Sequence, residues 1–329
     1  MAMNKILFFV DIYKWLISLI FFLTGGKVTI FFVYTNVQLN VELNYKGFMI
    51  IYKHATDLKK QLTKFKIPNG SVGFVPTMGA LHEGHLSLLR QSKKAAEITV
   101  ASIFVNPTQF NNADDFKKYP KTIEQDVLLL ETNGCDILFL PDEKEIYPNE
   151  ESRQKHFDLG YLETILEGKF RPGHFQGVCL VVEKLLNIVE ADFLFMGQKD
   201  FQQCMVIKRL IEIMNVNVQL IICPILREET GLAMSSRNLR LTADERILAG
   251  KLHQALLSIK NNCNENFQSL KNKTVTDLEN QGFKVDYLEL AGKNNLALLT
   301  DFNEKEDLVL LIAAYLNEVR LIDNVLINH

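Results

Sequence analysis

The chain has 329 residues, of which 47% are hydrophobic and 23% are charged, a globular composition with enough length for two domains. Its formal net charge of −3 argues against a protein that works by neutralising nucleic-acid phosphates, because such proteins carry a basic excess. The five cysteines are scattered and form no C-x-x-C pair. This pattern indicates reduced thiols in the cytoplasm rather than a disulfide framework or a zinc site.

The first 48 residues are unusually apolar and aromatic. Within residues 5–26, KILFFVDIYKWLISLIFFLTGG, Asp11 and Lys14 interrupt the roughly 20 apolar residues that a membrane-spanning helix needs. A small-residue cleavage site, as in a signal peptide, does not follow the apolar run. Three interpretations of residues 1–48 remain open: an extension upstream of a start at Met49, a membrane anchor, or a segment with a role in the fold.

From Met49 onwards, amphipathic helices alternate with short strands that are apolar almost throughout. Strands without a polar face belong in a parallel sheet that helices cover on both sides. The sequence therefore predicts an α/β fold with a Rossmann-like, doubly wound parallel sheet. The predicted helices are residues 56–66, 85–97, 121–134, 175–190 and 201–215. The predicted strands are residues 71–77, 98–107, 135–141, 191–197 and 216–225.

The pattern changes after about residue 225. Thr242 and Glu245 form the capping-box pattern T-x-x-E, which predicts a helix over residues 243–262. A polar helix follows, and strands are predicted over residues 284–290, 307–316 and 319–327. We therefore predict a Rossmann-like domain over residues 49–225 and a smaller α+β domain over residues 226–329.

Residues 76–92, PTMGALHEGHLSLLRQS, connect a predicted strand to a predicted helix. Ligands of parallel sheets lie at the carboxyl ends of strands, where Gly79 and Gly84 allow close approach of the backbone. The free N–H groups of the first helical turn favour an anion there. His85 and Leu86 stand where a P-loop has Lys and Ser/Thr, so the string is not a Walker A loop.

The same string contains two histidines, His82 and His85. Their spacing H-E-G-H is not that of a zincin, and no third metal ligand is evident. Two imidazoles beside a helix N-terminus can stabilise the charge that develops when a phosphate is attacked. The alternative is that one histidine only caps the helix and the other only packs.

Three further strings place polar side chains at strand ends or between the predicted domains. Side-chain amides in FVNPTQF can bond a hydroxyl or carboxylate, and the charged groups in FMGQKD and LAMSSRN can bond ribose or phosphate. The alternatives are a solvated turn, a helix cap and an interdomain turn. The residues concerned are Asn106, Gln109, Lys199, Asp200, Ser235, Ser236 and Arg237.

The H-x-x-H run resembles the HIGH motif of nucleotidyltransferases, and AMSSR resembles a KMSKS-like loop. The longer strings PTMGALHEGH, SIFVNPTQF, YPKT, EGKFRPGHFQGV, GQKDFQQ and GLAMSSRN resemble the pantothenate synthetase (pantoate–β-alanine ligase) family. The resemblance runs from about Met49 to RLIDN near Asn324. It implies a ligase that joins pantoate to β-alanine with ATP and Mg²⁺ through a pantoyl adenylate. It also implies a cytoplasmic homodimer, a catalytic domain of Rossmann type and a C-terminal lid.

The resemblance also assigns residues to ligands. It implies ATP contacts from two loops before residue 201 and from one loop after residue 225. Those residues are Met78, Gly79, Ala80, Leu81, His82, Glu83, Gly84, His85, Gly197, Gln198, Lys199, Asp200, Leu226, Met234, Ser235, Ser236 and Arg237. Among them it implies catalytic roles for His85, as proton donor, and for His82, Lys199, Ser235, Ser236 and Arg237. It implies pantoate or β-alanine contacts from Gln109 and Gln203, to which we add Asn106.

Some expectations are less direct. Gln198 stands where many relatives have a glutamate, which weakens any role for a carboxylate there. Asp114 and Asp115 are candidate Mg²⁺ ligands, although the alternative is a charged surface loop. Arg171, in EGKFRPGHF, is a candidate phosphate contact at the entrance of the site.

Other functions are open alternatives. A nucleotidyltransferase that stops after adenylation needs extra basic residues for a second phosphate, whereas FVNPTQF supplies amides. A nucleic-acid-binding or tRNA-charging protein needs a basic aromatic face, which the acidic balance does not favour. A membrane-associated protein would use residues 6–23 as its anchor.

Overall fold

The computed structural model describes residues 19–24, 27–32, 43–44, 49–65, 70–111, 113–302 and 306–328. The chain divides into two compact units, Met1–Phe48 and Met49–His329. In the first unit, strands β1 (Leu19–Thr24), β2 (Lys27–Phe32) and β3 (Leu43–Asn44) pair antiparallel in that order. Much of the apolar stretch predicted from the sequence, up to residue 18, lies outside the described residues. Among those described, no helix is long and apolar enough to cross a membrane.

The second unit is built on a six-stranded parallel sheet with the order β4-β7-β6-β5-β8-β9. Its inner strands are buried on both faces, because helices cover both sides of the sheet. The predicted α/β, doubly wound fold is therefore confirmed. The strands are β4 (Ile50–Tyr52), β5 (Val72–Thr77), β6 (Ile98–Ile103), β7 (Ile137–Phe139), β8 (Phe193–Gly197) and β9 (Gln219–Cys223).

The five predicted helices of this sheet are present, with bounds that agree to within a few residues. Strand β4, the short helices between residues 143 and 170, and a helix over residues 113–118, where the sequence favours a charged surface loop, are not predicted from the sequence. The helices are α1 (Ala55–Phe65), α2 (Glu83–Ala95), α3 (Ala113–Lys118), α4 (Ile123–Thr132), α5 (Glu143–Ile146), α6 (Leu166–Phe170), α7 (His174–Val189) and α8 (Phe201–Met214). Turns of 3-10 helix cover Pro107–Gln109, Glu150–Arg153, Gly160–Glu163, Gln198–Asp200 and Ser236–Arg240.

The C-terminal part contains an antiparallel sheet with the order β11-β10-β12-β13. The helix predicted over residues 243–262 is broken in two at Gly250, where a Cβ atom would lie 2.1 Å from the carbonyl oxygen of Thr230. The elements are α9 (Ala243–Ala249), α10 (Lys251–Asn261), α11 (Phe267–Glu279), β10 (Phe283–Gly292), β11 (Leu298–Leu299), β12 (Leu308–Leu316) and β13 (Val319–Ile327).

The antiparallel sheet is covered on both faces. Its strand β12 is apolar almost throughout because one face packs on α10 and α11 and the other packs on the core of the parallel sheet. Val309 and Leu311, for example, share a cluster of buried residues with Phe74 and Leu194 of the parallel sheet. The two sheets thus form one compact unit, and the division at residues 225 and 226 stays a prediction.

Candidate active site

The candidate site lies where the order of the parallel strands reverses. Strands β5 and β8 are neighbours in the sheet although β6 and β7 lie between them in the sequence. Ligands of open α/β sheets bind in the crevice outside the carboxyl ends of such strands. A cavity of about 230 Å³, here called the main cavity, is lined by Met78 after β5 and by Lys199 after β8.

The structure brings most of the predicted site residues together on this cavity, and their roles stay predictions. The residues that line it are Met78, His82, Gly84, His85, Asn106, Gln109, Gly197, Lys199, Asp200, Gln203, Leu226, Met234, Ser235, Ser236 and Arg237. Arg171 lines it as well. The predicted contacts Gly79, Ala80, Leu81, Glu83 and Gln198 lie on the same loops, but their atoms are not part of the wall.

The turn between β5 and α2 has a left-handed backbone. Gly79 has φ of 78° and Ala80 has φ of 49°, a conformation that is unfavourable for a residue with a side chain. The carboxylate of Asp126 holds this turn, because it accepts hydrogen bonds from the amides of Ala80 at 2.9 Å and Leu81 at 2.8 Å. Asp126 is 1% exposed and also accepts from the hydroxyl of Thr122. Asp126 is not predicted from the sequence, where it is marked only by its place one helical turn before Leu130, a buried residue of α4.

His82 and His85 cap helix α2 reciprocally. The Nδ1 atom of His82 accepts from the amide of Gly84 at 3.1 Å, and the Nδ1 atom of His85 accepts from the amide of His82 at 3.3 Å. This is the geometry of a capping box with imidazoles in place of the usual hydroxyl and carboxylate. The two ring centroids are 4.0 Å apart. Both histidines therefore cap the helix and still line the main cavity.

The caps determine which nitrogen of each ring carries the proton, and burial determines whether the ring is charged. Because each Nδ1 accepts a hydrogen bond, the network assigns the proton of each neutral ring to Nε2. Burial, together with the charge of Lys199, lowers the pKa of His82 to about 4. Burial and the neighbouring His82 ring lower the pKa of His85 well below its ordinary value. At neutral pH each ring is uncharged and keeps one N–H group to donate.

Several backbone amides of this loop are occupied within the protein. The amides of Ala80 and Leu81 donate to Asp126, and that of Gly84, in the first helical turn, donates to His82. The expectation that other amides of this turn receive an anion stays a prediction. The Nε2 atoms of the two imidazoles add side-chain donors at this helix N-terminus.

The turn after β6 presents Gln109 to the main cavity. Asn106, which is 1% exposed, donates from Nδ2 to the side chain of Gln109 at 3.1 Å and to the carbonyl of Gly177 at 3.0 Å. Its Oδ1 accepts from Thr108 and from the hydroxyl of Tyr147. Both hydrogens of the Asn106 amide are thus used within the protein, and this residue positions Gln109. The expected direct contact of Asn106 with substrate is not supported.

Helix α7 can approach this turn closely because the residue at the point of contact is a glycine, Gly177. A Cβ atom at Gly177 would lie 2.2 Å from the carbonyl oxygen of Thr108. At the start of the same helix, the buried His174 has its Nδ1 atom 2.7 Å from the carbonyl oxygen of Gln109, to which it donates. His174 lines the main cavity, and sequence analysis quoted its string without assigning it a role.

The turn after β8 carries the ammonium and carboxylate of the site. The Nζ atom of Lys199 lies 3.3 Å from the carboxylate of Asp200, and the Lys199 side chain is 18% exposed. Gln198, by contrast, points away from the cavity and donates from Nε2 to the side chain of Asn324 at 3.0 Å. A side-chain amide there makes an interaction within the protein, which accounts for a residue other than glutamate at this position.

The loop after β9 joins the two sheets at the cavity. Ser235 caps the 3-10 turn that follows it, and the buried Ser236 donates to the carbonyl of Ala80 at 3.0 Å. The Ser235–Arg237 segment is thus bonded directly to the turn that carries the histidines.

Arg237 is held by an acidic residue of α3. Its guanidinium donates to Asp115 at 2.8 Å, and Arg240 donates to the other oxygen of the same carboxylate at 3.1 Å. Burial opposes the charged form, but the hydrogen bond from Arg237 and both arginine charges lower the pKa of Asp115. Since arginines occupy both oxygens, the expectation of Asp115 as a Mg²⁺ ligand is not supported. Asp114 and Asp115 line a neighbouring cavity of about 470 Å³ rather than the main one.

Imidazole, ammonium and guanidinium donors converge on one cavity at the switch point of a Rossmann-like sheet. This fold and site define an enzyme of the nucleotide-binding α/β class. The sequence model of the family described as Pantoate-beta-alanine ligase matches residues 50–326. The chain belongs to this family.

Individual relatives agree with this assignment. The pantothenate synthetase of Cytophaga hutchinsonii is 44% identical over 288 residues, which cover 85% of this chain and 99% of the relative. The crystal structure of pantothenate synthetase from Thermus thermophilus superposes with a TM-score of 0.78 and 34% identity, over 85% of this chain and 100% of that chain. The pantoate–β-alanine ligase of Francisella tularensis, crystallised with β-γ ATP and β-alanine, gives a TM-score of 0.71 and 37% identity over 84% of this chain and 97% of that one.

Proposed function

We propose that this chain is an ATP-dependent ligase that joins pantoate to β-alanine through a pantoyl adenylate. In the first step a pantoate carboxylate oxygen attacks the α-phosphorus of ATP, and the bond to pyrophosphate breaks. In the second step the amine of β-alanine attacks the acyl carbon, AMP leaves and the nitrogen loses a proton. The products are pantothenate, AMP and pyrophosphate.

The observation that carries this proposal is the junction between the histidine turn and the serine–arginine loop. Ser236 bonds to the backbone of Ala80, so the two loops that resemble HIGH and KMSKS-like motifs meet on one cavity. The same cavity holds Lys199 of the third loop. ATP binding is further supported by the Francisella tularensis relative, which was crystallised with β-γ ATP.

In the adenylation step, the residues of this chain supply hydrogen bonds to developing negative charge. His82 and His85 do so as neutral donors through Nε2, because their pKa values lie far below neutral pH. Lys199 and Arg237 add positive charge in a half-buried site, where Coulomb interactions are stronger than in water. The role of His85 is accordingly hydrogen-bond donation rather than proton release from an imidazolium.

The acid and amine occupy the side of the cavity nearer to α7. Gln109 offers an amide that is already oriented by Asn106. Val178, Val181, Val182 and Leu185 give that side an apolar surface, which suits the two methyl groups of pantoate. An apolar wall also keeps water from the acyl adenylate, which hydrolyses if exposed.

A resident metal does not fit the described residues. Within the described part of the chain, no group of three or more His, Cys, Asp or Glu side chains is arranged to hold an ion. Mg²⁺ is therefore proposed only as the companion of the ATP phosphates, where it neutralises part of their charge. We derive no step of the reaction from it.

By resemblance to the family, we also propose that the enzyme is a homodimer in the cytoplasm. Light scattering of the purified chain tests the first proposal: a mass of twice 37.7 kDa supports a homodimer and a mass of 37.7 kDa contradicts it. Fractionation of a tagged full-length chain tests the second, and recovery in the membrane fraction favours the anchor interpretation of residues 1–48.

The decisive experiment is release of AMP from ATP, measured with pantoate and β-alanine together and with each omitted. The proposal predicts AMP release that needs both, and pyrophosphate exchange into ATP that needs only pantoate. A nucleotidyltransferase that stops at the adenylate would show the exchange without any response to β-alanine. AMP release that is independent of pantoate would overturn the proposal.

A further inference from the structure

The string RLIDN, residues 320–324, is far in sequence from the motifs that carry the chemistry, yet Asp323 and Asn324 are buried and Arg320 is half-buried. It forms the middle of strand β13. Successive side chains of a strand point to opposite faces. Leu321 and Val325 belong to the core against α10 and α11, whereas Ile322 and Leu326 pack against the core of the parallel sheet. Arg320 and Asn324 share the face of Ile322, and Asp323 lies on the opposite face.

Asn324 holds the turn that carries Lys199. Its Nδ2 atom donates to the carbonyl of Gln198 at 2.9 Å and to the carbonyl of Lys199 at 3.0 Å. Its Oδ1 atom accepts from the Gln198 side chain at 3.0 Å. Asn324 is 1% exposed, so water does not replace these bonds if the side chain is lost.

Arg320 holds the short helix α6 from the same face of the strand. It binds the buried carboxylate of Glu167 through two nitrogens, each at 2.8 Å. Glu167 lies 3.6 Å from Arg171, which lines the main cavity. Arg320 and Asn324 are four positions apart on the strand, a distance of about 13 Å. The two side chains therefore reach two separate segments beside the site.

Asp323 holds a third segment from the other face. Its carboxylate binds the guanidinium of Arg227 in a bidentate pair at 2.7 and 3.0 Å. Arg227 follows Leu226, and the amide of Met234 donates to the carbonyl of Leu226 at 3.0 Å. Both Leu226 and Met234 line the main cavity.

We infer that residues 320–324 of β13 are a positioning segment for the active site, in which Asn324 and Asp323 each fix one loop of the main cavity and Arg320 fixes helix α6, which Arg171 follows. Asn324 sets the place of Lys199 and acts only through the turn that it holds. This inference rests on the proposed function for the identity of the reaction, although the contacts do not depend on it. It gives the C-terminal sheet a role in adenylation beyond covering the site.

The test compares Asn324→Ala with Lys260→Ala. Lys260 donates to the carbonyl of Leu326 at 2.8 Å, so the control removes a bond to the same strand that reaches no site loop. For Asn324→Ala we expect at least a tenfold loss of pantoate-dependent pyrophosphate exchange and at least a fivefold rise in the Kd of a non-hydrolysable ATP analogue. The KM for β-alanine should stay within twofold of the parent value. Lys260→Ala should change none of these more than twofold.

Equal effects of the two substitutions, or a folded Asn324→Ala variant with unchanged exchange and analogue binding, would overturn the inference. If Asn324→Ala does not fold by circular dichroism, Asn324→Ser replaces it, because a hydroxyl retains one donor and leaves less empty space. A parent chain without exchange would overturn the ligase function instead. The Kd of the analogue in parent and variant would then still decide the inference.

Discussion

The buried carboxylate of Asp126 and the left-handed residue Ala80 are joined by a hydrogen bond of 2.9 Å, although 46 positions separate them in the sequence. The second oxygen of the same carboxylate accepts from the amide of Leu81. The turn that presents His82 thus depends on a helix that contributes no group to the chemistry. A carboxylate is well suited to this position because it has two acceptors and no donor.

Asp126→Asn therefore should destabilise the fold and lower activity together. An asparagine amide turns one acceptor into a donor, which leaves one buried backbone N–H without a partner at a cost of about 1–3 kcal/mol. Urea unfolding should show this loss, and the rate of AMP release should fall at saturating substrate. Glu124→Gln, on the exposed side of the same helix, is the matched control and should change neither. An Asp126→Asn variant with parental stability would contradict the assignment.

The depressed pKa of His82 predicts how stability depends on pH. The folded value is about 4 and the value in an unfolded chain is 6.5. The unfolded chain binds more protons between these values, so the unfolding free energy is fully retained above pH 6.5 and falls as the pH drops towards 4. The expected loss from this group is on the order of 1–3 kcal/mol. Urea unfolding at pH 7, 6 and 5 measures it.

The variant His82→Asn separates the contribution of His82 to this pH dependence from the contributions of the other titrating groups. Asparagine is a good N-cap that accepts the same backbone bond but does not titrate. The variant should lose stability less steeply between pH 7 and 5 than the parent does. An identical slope in both proteins would show that His82 is already protonated in the folded state at pH 5.

Substitutions of Gln109 and Asn106, the two side-chain amides in the turn after β6, should have different effects. Gln109→Ala should raise the KM for pantoate and β-alanine at least tenfold and leave the affinity for ATP within threefold, because we propose that its side chain contacts the acid and the amine. Asn106→Ala should raise the same KM values less, because it frees Gln109 without removing it. It should also lower the unfolding free energy by about 1–3 kcal/mol, since Gly177 and Tyr147 lose buried partners. Steady-state kinetics and urea unfolding of both variants distinguish the two roles. A defect confined to ATP in Gln109→Ala would contradict its assignment to the acid and amine.

The sequence predicts the fold well where hydrophobic patterns are long and regular. Strands β5, β6 and β8 are apolar runs between helical segments, so their place in a parallel sheet follows from their composition. Strand β4 is a half-buried edge strand of three residues, and its apolar residues are not set apart from the apolar residues that precede them in the sequence. The break at Gly250 depends on a close approach of Thr230, which no local pattern records.

The candidate site is likewise predictable where it is formed by local motifs and not predictable where it depends on contacts between distant parts of the sequence. His82, His85 and the serine–arginine string stand in motifs, and the structure brings them to one cavity. Asp126, Asn324 and Arg320 act on the site through partners more than 40 positions away in the sequence, so no local pattern predicts these contacts. The sequence leaves open that one histidine caps the helix but does not predict the reciprocal pair, because imidazoles rarely take the places of hydroxyl and carboxylate in a capping box.

Gly177→Ala tests whether the contact between α7 and the turn after β6 sets substrate binding. A methyl group at this position would meet the carbonyl oxygen of Thr108 at 2.2 Å, so the backbone of the turn has to move. The displacement carries Gln109 with it. We expect kcat/KM for pantoate and β-alanine to fall at least tenfold, while the Kd of an ATP analogue stays within threefold. Asn187→Ala, on the exposed side of α7, should leave both unchanged. Parental kinetics in a folded Gly177→Ala variant would mean that the turn can shift without moving Gln109 away from its substrates.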